Sequence, residues 1–200
     1  MNKSHEVAEL WHQIAMVKSS AQNLAHRPSW GAWDGIASPG YVGPRYQGLL
    51  FIANNPGSGG PEPSVSERRL FSALESLRKS PEGFDAYNSI HGEVMWEWKI
   101  CRYINGLGIG RDAFAFINLV KWRGNLTAAL RRESWPWTER QLQLLSPNRI
   151  VVLGKGPFGE FSRLYAGSCR VDWIERTIGD TYETEQAKQQ ISDLRRDLQG

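Results

Sequence analysis

Two adjacent carboxamides, Asn54 and Asn55, close the apolar run Leu49-Leu50-Phe51-Ile52-Ala53 and lead straight into Pro56-Gly57-Ser58-Gly59-Gly60. A carboxamide offers one acceptor and two donors, so it can orient a water molecule or match the edge of a pyrimidine ring. It positions a nucleophile better than it deprotonates one. Another carboxamide, Asn118, lies inside Ala113-Phe114-Ala115-Phe116-Ile117-Asn118-Leu119-Val120, a run that leaves through Lys121-Trp122-Arg123. An amide in an apolar run is costly unless bonded, so Asn118 either ties down a neighbouring loop or faces a ligand. A third run, Arg149-Ile150-Val151-Val152-Leu153, ends in Gly154-Lys155-Gly156-Pro157, a turn that can open a helix.

Apolar runs of this length, bounded by Gly and Pro, have the pattern of strands buried on both faces. Open α/β sheets place their chemistry just beyond the carboxyl ends of such strands. Asn-Pro-Gly also makes a good turn with no chemistry attached, since Asn caps it, Pro fixes φ and Gly accepts positive φ.

Taken in order, the three segments resemble motifs of the uracil-DNA glycosylase superfamily. Ala53-Asn54-Asn55-Pro56-Gly57 looks like the water-activating motif of its mismatch-specific and single-strand-selective branches. Ile117-Asn118-Leu119-Val120-Lys121-Trp122-Arg123 is similar to the second-strand motif, whose Asn reads the extruded base. Val152-Leu153-Gly154-Lys155 is similar to the third-strand segment. The resemblance implies a three-layer α/β/α sandwich with a central four-stranded parallel sheet, one domain over residues 1–200. It further implies a DNA N-glycosylase that hydrolyses the C1′–N bond of a base swung out of the stack, with no cofactor.

Carried over by position, the resemblance makes Asn55 the holder of the water, with Asn54 beside it. Asn118 reads the base, Phe71 is a candidate stacking ring, and Gly57 and Ser58 line the base pocket, where Gly allows close backbone approach. Lys121, Trp122, Arg123 and Lys155 are the expected DNA contacts, joined by Arg131 and Arg132. One departure stands out. Most members end a fourth strand in His-Pro-Ser, whereas here Cys169-Arg170-Val171-Asp172-Trp173-Ile174-Glu175 leads into Arg176-Thr177, and no His follows His91. Arg176 in that place would supply positive charge to a base leaving as an anion, and Thr177 would hold a phosphate. The alternative is that both residues merely begin the last helix, with Thr177 near its cap.

Uracil-specific members close the pocket with a bulky side chain after the Pro, where this chain has only small residues. The expected base is therefore a larger modified pyrimidine, such as the glucosylated hydroxymethylcytosine of phage DNA, in a defence role. Uracil or mismatch repair is the nearest rival, and a catalytically inactive DNA-binding relative is another. A dinucleotide-binding protein is suggested by Gly154-Lys155-Gly156-Pro157-Phe158-Gly159 after a strand, with Asp172 and Glu175 on the next.

Two hundred residues with 40% apolar content can bury one sizeable core. Neither a signal peptide nor a membrane span is visible, so a cytoplasmic monomer without a membrane partner is expected. Cys101 and Cys169 alone make no disulfide framework and are too few for a four-Cys iron–sulfur cluster. The four His are scattered without ligand spacing, so no metal is expected. A formal charge of +3 and a pI near 8.9 permit DNA binding. Nine Trp are present, with Trp96, Trp98, Trp122, Trp135 and Trp137 in mid-sequence; most are expected in the core, although indoles also stack on bases. Hydrophobic spacing predicts helices over 4–25, 65–79, 94–107 and 183–198, and a surface loop over 27–45 covering the sheet rim. Strands alternating with helices imply right-handed crossovers.

Overall fold

The structure is a computed structural model that describes residues 3–19, 35–54, 56, 63–122, 126–177, 180 and 183–199. In chain order the elements are α1 (Lys3–Met16), β1 (Tyr41–Val42), β2 (Leu49–Ala53), α2 (Val65–Lys79), α3 (Phe84–Trp96), α4 (Cys101–Asn105), β3 (Phe114–Asn118), α5 (Ala128–Leu145), β4 (Arg149–Leu153), α6 (Lys155–Leu164), β5 (Arg170–Ile174) and α7 (Glu185–Gln199).

The strands form one mixed sheet in the order β1-β3-β2-β4-β5. β3, β2, β4 and β5 run parallel, with Ala53 level with Asn118 and Leu153 level with Ile174. β1 adds a fifth strand, antiparallel to β3, with Tyr41 opposite Phe116. The expected four-stranded all-parallel sheet is corrected accordingly. The segment that supplies β1 was expected to be a surface loop, yet Ala37, Ser38 and Tyr41 are buried. Gly40 makes this possible: its φ is +97°, and a Cβ there would lie 2.4 Å from the Phe116 carbonyl oxygen. Only glycine allows so close a pass. The Gly40 carbonyl in turn accepts a 2.9 Å bond from Trp11 Nε1, tying α1 to the sheet.

Side chains alternate between two faces along each central strand, as pleating requires. Leu50, Ile52, Ala115, Ile117, Ile150 and Val152 belong to a cluster shared with α1, α2, α3, α5 and α6. Leu49, Phe51, Phe114, Phe116, Val151 and Leu153 belong to a second cluster, shared with α4, α7 and the end of α3. Helices therefore cover both faces, which is why the strands read as continuous apolar runs instead of alternating ones. Fully burying each such aliphatic or aromatic side chain stabilises the fold by about 1.5–3 kcal/mol.

Helices 65–79 and 183–198 lie close to where spacing predicts them. α2 begins with a capping box in which Ser64 Oγ accepts from Glu67 N and the Glu67 carboxylate accepts from Ser64 N. The expected helix over 94–107 is instead the end of α3, a break, and the short α4. α1 stops at Met16, short of the expected 25. α5 has no counterpart in the spacing because Pro136 interrupts it. Its inner face is polar: Ser134 Oγ accepts from Lys121 N at 2.9 Å, Thr138 donates to the Leu119 carbonyl at 3.2 Å and Gln141 donates to the Pro39 carbonyl at 2.5 Å. α5 thus satisfies the irregular backbone that leaves β3, fixing residues 119–121 in place. Among the described residues, no helix is long and apolar enough to cross a membrane.

Candidate active site at the carboxyl edge of the sheet

The chain passes from β2 to β3 on one side and then crosses back over β2 to β4 on the other. Strand order thus reverses about β2, and open α/β sheets bind ligands beyond the carboxyl ends of the strands at such a point. Asn54 leaves β2 at this edge, Asn118 ends β3, Gly154 and Lys155 follow β4, and Arg176 follows β5. The four segments singled out in the sequence therefore reach one edge. Asn55, Gly57, Ser58 and Arg123 lie outside the described residues.

The β2 and β3 exits are zipped together beyond the strands. Leu119 N donates to the Ala53 carbonyl and Val120 N to the Asn54 carbonyl, both at 2.8 Å. Their backbones are fixed, but their side-chain oxygens are not used. Asn118 is 2% exposed, and among the described residues neither Asn54 Oδ1 nor Asn118 Oδ1, both buried, has a hydrogen-bond partner. Leaving a buried acceptor unpaired costs about 1–3 kcal/mol. Two buried acceptors thus lie on neighbouring strand ends without a partner among the described residues.

Lys121 departs most from expectation. Its side chain is wholly buried, and its Nζ donates to the Asn118 carbonyl. Among the described residues no carboxylate lies within ion-pair distance of it. Burial holds its pKa well below the ordinary lysine range. Trp122 is 1% exposed, with its Nε1 buried and unpaired. Neither residue offers a charge or a ring to an outside DNA strand, which corrects the contact expected of them. Trp96 stacks on Phe114, Trp135 packs edge-on to Phe161 and Arg140 sits 5.0 Å from the Trp137 ring centre; the indoles are dispersed through the fold.

Beyond β5, Arg176 is half-buried and gripped by Asp180, Nε to Oδ1 at 2.7 Å and Nη2 to Oδ2 at 2.5 Å. This fork-to-fork geometry fixes the guanidinium plane and offsets its charge. Asp180 is itself buried and sits at φ +52°. Arg176 borders the β4 exit, since a Cβ on Gly154 would lie 3.9 Å from its Cδ. Gly154 has φ +110°, and the amides of α6 follow at once, an arrangement suited to an anion. Lys155, the first residue of α6, is exposed. Thr177 lies beside Tyr103. Phe71 is half-buried on α2, packed against the core.

Sequence reasoning missed Asp180, whose only signal was its position four residues after Arg176, and it missed that Lys121 turns inward. Of the two carboxylates offered for the dinucleotide reading, Glu175 follows β5 and accepts from the Thr184 hydroxyl. Asp172 sits in mid-strand, level with Val151, and is held by Arg149 at 2.8 Å and Arg170 at 3.2 Å. An open hollow of about 360 Å³ lined by Trp135, Tyr165 and Cys169 lies at the opposite, amino-terminal edge. Among the described residues no cluster of His, Cys, Asp or Glu could hold a metal ion. No known protein-family model matches the chain, and no curated protein does.

Proposed function

We infer that the chain is a DNA N-glycosylase with a uracil-DNA glycosylase-like α/β/α fold, acting on a flipped-out modified pyrimidine. One observation carries this reading: the carboxamides of Asn54 and Asn118, at the neighbouring ends of adjacent parallel strands, each present a buried acceptor without a partner among the described residues. A cytosine-type ring carries an exocyclic amine that donates to such an oxygen, and a water is held by another. Asn55, next to Asn54, is the residue that orients the attacking water. Hydrolysis breaks the C1′–N bond and the water oxygen bonds to C1′, one water proton staying on the new hydroxyl and the other passing to the departing base. The α6 amides and Arg176, beyond β4 and β5, are the groups that would offset its developing negative charge. The small residues after Pro56 support a base larger than uracil, such as glucosylated hydroxymethylcytosine.

The test is base release, read by mass spectrometry and by alkaline cleavage at abasic sites. The DNAs are uracil-containing, unmodified and glucosylated hydroxymethylcytosine DNA. Wild-type protein is expected to release the modified base, and Asn55→Ala and Asn118→Ala to lose that release. Uracil release alone would move the reading to repair. A second reading, DNA binding without catalysis, is favoured by the tying of Arg176 to Asp180; binding with no release from any of the three DNAs would establish it.

A further inference from the structure

We propose that Lys121 is a nucleophile whose side-chain amine captures the C1′ aldehyde of an abasic deoxyribose and carries a strand-cleaving lyase step. The inference rests on the glycosylase reading only for the source of that aldehyde, since loss of a base from C1′ leaves a hemiacetal that opens to one.

Three observations converge on this side chain. It lies on the rim that bears Asn54 and Asn118, three residues past the end of β3. It is wholly buried, and its described polar contact is a single backbone carbonyl, that of Asn118. Beside it, Asn118 Oδ1 and Trp122 Nε1 are also buried with no partner among the described residues, so polar groups gather at the turn after β3. A lysine retained for structure is paired with a carboxylate, and a simple filler would be apolar. A buried ammonium without a counter-charge costs several kcal/mol, so the site favours the free amine. The free amine carries the lone pair that forms Schiff bases with carbonyl carbons.

The chemistry balances without an oxidant or reductant. The Nζ lone pair adds to C1′, the carbonyl oxygen takes up a proton, and loss of water leaves a cationic C1′=N imine. Water removes a C2′ proton, and the electron pair released expels the phosphate on C3′, breaking the C3′–O bond. Hydrolysis of the imine returns the amine and leaves an unsaturated aldehyde on the upstream fragment. Because the amine is wholly buried, capture is expected to be slower than at a surface lysine.

The experiment mixes the full chain with an oligonucleotide holding a preformed abasic site, with and without sodium borohydride. Hydride fixes the imine as a secondary amine. The expected result is a covalent protein–DNA species that peptide mapping places on Lys121, with cleavage 3′ of the abasic site when borohydride is absent. Both are lost in Lys121→Met, an apolar chain of similar length suited to a buried position, and kept in Lys188→Met on exposed α7. No adduct with wild-type protein, or an adduct mapped to another amine, overturns the proposal. Should Lys121→Met not fold, mapping of the wild-type adduct decides alone. Base release from modified DNA is measured in parallel. Trapping without release overturns the glycosylase reading and sustains Lys121, whereas release without trapping overturns Lys121 only.

Discussion

At the residue scale, the side chains that contribute least to folding point most directly to chemistry. Asn118 occupies a buried place with an unpaired oxygen, so Asn118→Ala is expected to lower stability by no more than about 1 kcal/mol while abolishing base release. Denaturant titration and the release assay on the same sample check both halves. His91 behaves oppositely. Its Nδ1 is bonded by Tyr87 and Gly40, and burial pushes its pKa from 6.5 down to about 4. Above pH 6.5 the ring is neutral in both folded and unfolded chains, and the full stability is present. As pH falls from about 6.5 towards 4, the unfolded chain binds a proton that the folded one refuses. Stability should therefore drop by about 3 kcal/mol across that window and level off below it. Guanidinium midpoints from pH 7.5 to 4 should show this slope, and His91→Gln should flatten it. The burial of Asn118 was legible because the residues before it form an unbroken apolar run. The fate of Lys121 was not, because a basic residue after a strand reads as a surface charge until tertiary packing turns it inward.

At the scale of elements, the buried parallel strands were legible from their uninterrupted apolar runs. What escaped was whatever depends on partners distant in sequence. β1 is two residues long and exists because Gly40 lets the backbone slide against β3. α5 hides behind Pro136 and an inner face of Ser, Thr and Gln, residues that look solvent-directed until the carbonyls and amides they satisfy are seen. α2, by contrast, announces its start with Ser64 and Glu67 three residues apart. Ser64→Ala should cost about 1 kcal/mol, seen as a lower urea midpoint with an unchanged m-value. An unchanged midpoint would show that α2 is fixed by its packing on α1 and α3 alone.

At the scale of the whole molecule, a formal charge of +3 leaves affinity for DNA dependent on where the cations sit. With Lys121 buried, Lys155 is an exposed cation at the switch point among the described residues. Lys155→Ala should reduce the slope of log affinity against log salt by about 1, the signature of one lost phosphate contact. An unchanged slope in a fluorescence-anisotropy titration would direct the strand elsewhere.

The outer side of β1 carries one more consequence. Val42 N donates to Asn88 Oδ1 at 2.9 Å, and Asn88 Nδ2 donates back to the Val42 carbonyl at 2.6 Å. A side-chain amide on α3 thus imitates the next strand and uses up the backbone groups with which another chain would pair. Asn88 therefore guards against polymerisation. Asn88→Ala should hasten self-association at high concentration, as light scattering would report.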